Sequence, residues 1–177
     1  METRLHKLVE LPDYVTLTGA AAAILAMFAA IEQRFTAAAL LMLLSVTCDY
    51  CDGKVARAVK RRHGEFGAAL DTVSDGVAFG AAPVVFGYCL GLDAWPAVAA
   101  LLLFAAAAIL RLARFLALPY CSTHFAGMPV PYNSIFLALA YFALSGFASE
   151  SLIVPAFVLL YLGLAALMIS RIRWIKF

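Results

Sequence analysis

The chain has 177 residues, 65% of them apolar and only 14% charged, with a mean hydropathy of +0.94. A soluble globular domain does not carry that balance, so the composition points to a multi-pass membrane protein. The net charge of +2 is too small to imply a nucleic-acid partner, and none is expected.

A membrane crossing needs about 20 mostly apolar residues, and six such stretches are legible. Ahead of them, Leu5, Leu8 and Val9 alternate with Arg4, Lys7 and Glu10 up to Pro12. This spacing predicts a short amphipathic helix over residues 1–11, lying in the membrane interface. The spans then run over roughly Tyr14–Ile31, Phe35–Asp49 (continuing as a helix to about Val59), Gly67–Leu92, Trp95–Leu118, Val130–Phe147 and Leu152–Ile172. Connections are short, so the expectation is one all-α integral membrane domain over 1–177 with six transmembrane helices. The first apolar run is too long, and too closely followed by others, to be a cleaved leader.

Charge sets the expected orientation. Of the 13 Lys and Arg residues, only Arg34 falls on one side of this topology. The other side collects Arg4, Lys7, Lys54, Arg57, Lys60, Arg61, Arg62, Arg111, Arg114, Arg171, Arg173 and Lys176. By the positive-inside rule both termini are cytoplasmic.

The second and third spans carry the chemistry. Asp49 and Asp52 are spaced i,i+3, and Asp71 and Asp75 i,i+4, so on helices each pair projects from one face. Four carboxylates beside a bilayer core are costly unless positive charge sits among them. Their all-oxygen donor set suits hard cations, Mg²⁺ or Mn²⁺, rather than zinc. Two cations held by shared carboxylates would provide that positive charge. Asp49, Asp52 and Asp71 are the expected metal ligands. Asp75 either completes that set or takes the proton of an attacking hydroxyl.

Between the pairs, Gly53 and Ala56 share the face of Asp49 and Asp52, and small residues there let a ligand approach the backbone. Arg57 follows at the membrane surface, suited to a phosphate. Gly67 lies one turn before Asp71. Cys48 and Cys51 form a CxxC with no second pair, so they are expected to be buried reduced thiols. Cys89 and Cys121 are far apart in sequence, and His6, His63 and His124 fall in interfacial segments.

The run DYCDGKVARAVKRRHGEFGAALDTVSD resembles the signature of the CDP-alcohol phosphotransferases, with Asp49, Asp52, Gly53, Ala56, Arg57, Gly67, Asp71 and Asp75 all in place. Nine residues separate Arg57 from Gly67 where the family pattern has eight; one more residue in a solvated loop is readily accommodated. The resemblance implies transfer of a phosphatidyl-type group from a CDP-linked lipid to an alcohol, with release of CMP. It implies CDP-lipid binding by Asp52, Gly53, Ala56, Arg57 and Gly67, and both ligand and base roles for Asp75. A homodimer in a prokaryotic cell membrane, with the active site cytoplasmic, is also expected. Gly76-x3-Gly80 on the third span is the candidate dimer face.

Further on, RLARF (Arg111–Phe115) and FAGMPVP (Phe125–Pro131) are similar to the phosphatidylserine synthase branch of that family. There the donor is CDP-diacylglycerol or CDP-archaeol and the acceptor L-serine. Arg111, Arg114 and Asn133 are the candidate acceptor-binding residues, Arg111 foremost because it lies deeper in its apolar helix. Two features depart from the branch pattern: Leu116 stands where Asn is usual, and Tyr132-Asn133 where small residues are common. Acceptors such as glycerol 3-phosphate or inositol phosphate remain alternatives, though their phosphate calls for more cationic groups than one arginine pair. A divalent-cation transporter is the alternative of a different class. It would need carboxylates at mid-membrane, whereas all four cluster at one end.

Overall fold

The computed structural model describes residues 9–59, 64–117, 124–147, 150–170 and 173–175. The expected interfacial helix falls mainly on residues 1–8, outside the described residues, as do Lys60, Arg61, Arg62, His6, His63 and Cys121.

Six helical crossings form the bundle. Helix α1 spans Leu11–Ile31 and α2 Phe35–Val59. The third crossing is composite: α3 (Gly64–Asp75), a π-helical segment (Gly76–Ala81) and α4 (Ala82–Cys89). Then come α5 (Trp95–Ala117), α6 (Pro131–Ser145) and α7 (Glu150–Ile169). Five crossings are long and apolar enough to traverse a membrane by length and composition. The sixth, α6, has 15 residues, about 22 Å at 1.5 Å per residue, short of the ~30 Å hydrocarbon layer. Exposed apolar side chains such as Leu25, Leu40, Leu103, Leu110 and Leu159 cover the outside. That surface suits lipid as its solvent.

Local sequence explains the boundaries. Pro12 sits in the first turn of α1, where a missing N–H costs nothing, and the Glu10 N–H donates to Asp13 Oδ2 at 2.7 Å. Gln33, at φ +62°, turns the chain between α1 and α2. In the third crossing, Pro83 would press its ring on the Phe79 carbonyl in a regular α-helix. The wider π turn relieves this, with the Ala82 N–H reaching back to Val77 O.

One boundary is corrected. The last crossing ends at Ile169 rather than Ile172; the chain bends at Ser170 and continues as a short strand. That strand, β2 (Arg173–Ile175), pairs antiparallel with β1 (His124–Ala126), so a two-stranded ribbon joins an otherwise helical fold. Periodicity over three residues cannot announce such a pairing. On the Gly76-x3-Gly80 face, Gly80 is buried and Gly76 half-buried. Cβ atoms there would lie 3.9 Å from Leu112 Cδ1 and 4.0 Å from Ala108 Cβ, both on α5 of the same chain. Small residues here serve packing within the protomer.

The core has two textures. At the end where α2 begins, Phe86 packs edge-on against Phe35 (5.9 Å) and Tyr141 (5.8 Å) and, tilted, against Phe157 (6.4 Å). Deeper in, Tyr161 is fully buried, stacks edge-on with Phe104 at 5.1 Å and donates its hydroxyl to Pro83 O at 2.5 Å. A hydroxyl sealed in an apolar bundle needs that partner. The other end, around Asp49 and Asp52, is lined by small and polar side chains.

Candidate active site

The second half of α2 carries Asp49 and Asp52, and α3 carries Asp71 and Asp75. The helices bring the pairs together as their spacings require. Ligand oxygens of Asp49, Asp52 and Asp71 all lie within 4.8 Å of one another. The carboxyl of Asp75 is a hydrogen-bond partner of Asp49. Three oxygens at this separation can close on one hard cation with small side-chain movements, and their chemistry excludes a soft-metal site. The residues present therefore fit divalent cations of the Mg²⁺ or Mn²⁺ kind.

An open cleft of about 200 Å³, mouth included, runs beside the carboxylates. Thr16, Gly19 and Ala20 of α1, Ser45, Asp49 and Asp52 of α2, and Ser74, Asp75, Ala78 and Phe79 of the third crossing line it. Asp52 is only 6% exposed, and its Oδ2 accepts a hydrogen bond from Thr16 Oγ1 at 2.6 Å.

The remaining signature residues take distinct places. Gly53 is exposed, and a Cβ there would meet nothing within 4 Å. Among the described residues, packing does not demand glycine at this position, and a small residue there lets a ligand approach the backbone. Ala56 is half-buried and Gly67 buried. Arg57 lies on the last turns of α2, its side chain outside the described residues. Cys48 is half-buried, but Cys51 is exposed rather than buried; both thiols are free.

The acceptor candidates separate. Arg111 is half-buried, donates Nε–H to Met128 O at 3.1 Å and lies within electrostatic reach of Asp75. The loop after α5 thus holds an arginine near the proposed base. Arg114 faces outward and is exposed. Asn133 is fully buried, and its amide nitrogen donates to Met168 Sδ at 3.1 Å; neither it nor Arg111 lines the cleft. Starting α6 at Pro131 turns Asn133 toward α7, a direction that sequence spacing alone does not set.

Sequence reading passed over Thr16, Ser45 and Ser74, which share the cleft with the aspartates, and Asp13, buried at 1% exposure. The available signal was Asp13 and Thr16 at i,i+3 at the start of an apolar span, the spacing that drew attention to Asp49 and Asp52.

A model of the CDP-alcohol phosphatidyltransferase family matches residues 9–170. The chain is 33% identical over 176 residues to the archaetidylserine synthase of Methanothermobacter thermautotrophicus, covering 98% of this chain and 72% of that protein. It is 32% identical over 175 residues to a CDP-diacylglycerol–serine O-phosphatidyltransferase of Methanocaldococcus jannaschii, covering 98% and 77%. The enzyme of that name from Mycobacterium tuberculosis is 33% identical over 133 residues, 71% of this chain but 46% of the longer mycobacterial protein.

Proposed function

The chain belongs to the CDP-alcohol phosphatidyltransferase family, and on that premise we propose that it transfers the lipid phosphatidyl group of CDP-diacylglycerol, or its archaeol counterpart, to the hydroxyl of L-serine, releasing CMP. The observation that carries this reading is that Asp75 hydrogen-bonds Asp49 of a three-carboxylate cluster and is also within electrostatic reach of Arg111.

Asp49, Asp52 and Asp71 would hold two divalent cations, with Asp75 at the edge of the set. Bound there, the cations neutralise the pyrophosphate and the departing CMP. The chain's own groups do the rest. Gly53 leaves the helix surface open for the nucleotide, with Ala56, Arg57 and Gly67 around it. Asp75 accepts the proton of the serine hydroxyl as its oxygen attacks phosphorus. Arg111, tethered by Met128 O, pairs with the serine carboxylate and keeps the hydroxyl in line. Arg114 contributes positive charge at the rim. Asn133 holds the α6–α7 contact through Met168, behind the acceptor site.

In the same reading the carboxylates face the cytoplasm of a prokaryotic cell, as the distribution of Lys and Arg directs. The working unit is a homodimer. Transport is disfavoured by the far end of the bundle, where interlocked aromatic rings fill the described core.

The deciding experiment supplies purified protein with CDP-diacylglycerol or CDP-archaeol, Mg²⁺ or Mn²⁺, and a panel of alcohols, and follows CMP release. Serine-dependent release is expected. Release that responds to glycerol 3-phosphate or inositol phosphate instead would reassign the acceptor, and none with any alcohol would remove the transferase reading.

A further inference from the structure

A side chain outside the signature reaches into the carboxylate cluster. We propose that Thr16 is a positioning residue for Asp52: its hydroxyl fixes one carboxylate oxygen so that the other is presented to the cation. This rests on the metal reading of the aspartates given above.

Thr16 Oγ1 has one proton and two acceptors in range, Pro12 O at 3.3 Å and Asp52 Oδ2 at 2.6 Å. The shorter contact, to the group that carries charge when ionised, takes the proton. The usual role of a threonine hydroxyl in a helix, bonding the carbonyl four residues back, is thereby displaced. Both residues are almost sealed, Thr16 at 6% and Asp52 at 6% exposure. Little solvent competes for the bond, so the Thr16 hydroxyl can hold one orientation of the Asp52 carboxylate.

Helix packing prepares the contact. Gly19 lies one turn beyond Thr16, where a Cβ would come within 3.0 Å of Cys48 Cβ and 3.4 Å of Ser45 O. Only glycine lets α1 and α2 approach this closely without displacing one of them. The short crossing brings a side chain no longer than threonine's within reach of Asp52. A partner that orients a ligating carboxylate raises cation affinity without touching the cation.

Mn²⁺ binding to the full-length protein in detergent, without lipid substrate, is read from the resonance signal of free Mn²⁺. Asp52→Asn serves as the reference for a lost ligand. Thr16→Val, which keeps the shape and removes the hydroxyl, should weaken Mn²⁺ about 10–100-fold, and Thr16→Ser should stay within about threefold of the parent. Thr16→Ala, also lacking the hydroxyl, should match Thr16→Val, so a packing failure of one variant does not decide the matter. Unchanged affinity in Thr16→Val and Thr16→Ala while Asp52→Asn loses Mn²⁺ overturns the role of Thr16 alone. A Thr16→Ser variant as weak as Thr16→Val overturns it too, because the hydroxyl is then irrelevant. Full Mn²⁺ binding by Asp52→Asn overturns the metal reading and this proposal together.

Discussion

The two ends of the bundle are built on opposite rules. Around Phe86, large rings from α2, the third crossing, α6 and α7 interlock at centroid distances of 5.8–6.4 Å. Around Asp49, about 21 Å further along α2 than Phe35 at helical rise, the core is made of Thr16, Gly19, Ala20, Ser45 and Ser74 beside four carboxylates. The first end maximises dispersion contacts among its rings. The second keeps the helices close with small residues and spends its volume on a cleft. Stability and chemistry are thus carried by different parts of the same helices, and substitutions at the two ends should separate them.

The largest effect is expected at the carboxylates. Asp71→Asn should reduce turnover below detection, since cation binding supplies several kcal/mol of transition-state stabilisation. Its cation-free melting temperature should hold or rise as a like charge is removed. A stable Asp71→Asn enzyme with near-parental CMP release would break the division. Asp75→Asn should lose about 10²–10⁴-fold in kcat as a general base is removed, while Mn²⁺ affinity falls much less. Equal losses of both would make Asp75 a ligand first.

The opposite end should respond in the other currency. Phe86→Ala should cost about 3–5 kcal/mol through the cavity left among Phe35, Tyr141 and Phe157, with CMP release per folded molecule close to the parent. Thermal unfolding in detergent paired with turnover checks this. A smaller effect of the same kind is expected from Gly87→Ala. A Cβ there would lie 2.7 Å from Tyr161 Oη and 2.9 Å from Leu101 Cδ2, and overpacking of this sort costs about 1–3 kcal/mol. The smallest effect belongs to Arg111→Lys. It keeps the charge and loses the planar fork, so the serine KM should rise about tenfold while that for the CDP-lipid changes little. If both rise together, Arg111 holds the donor's phosphates instead.

The hydrophobic runs and the two aspartate spacings were legible because each depends on a period that the sequence carries directly: the length of a bilayer crossing, and the 3.6-residue turn that places i,i+3 and i,i+4 pairs on one face. The reaction class followed from the same eight signature positions. Which helices touch was not legible, because small residues favour any close neighbour equally. Gly76 and Gly80 could face a second chain or α5, and only the assembled bundle, with its π turn ahead of Pro83, sends them to Ala108 and Leu112. Asn133 likewise stood near the acceptor in the linear order, but the start of α6 turns it into the contact with Met168. Thr16 went the other way: 36 residues from Asp52 in sequence, it reaches that carboxylate because α1 and α2 cross closely at Gly19. Periodicity determines which face a side chain occupies; what that face meets is decided by the packing of the other helices.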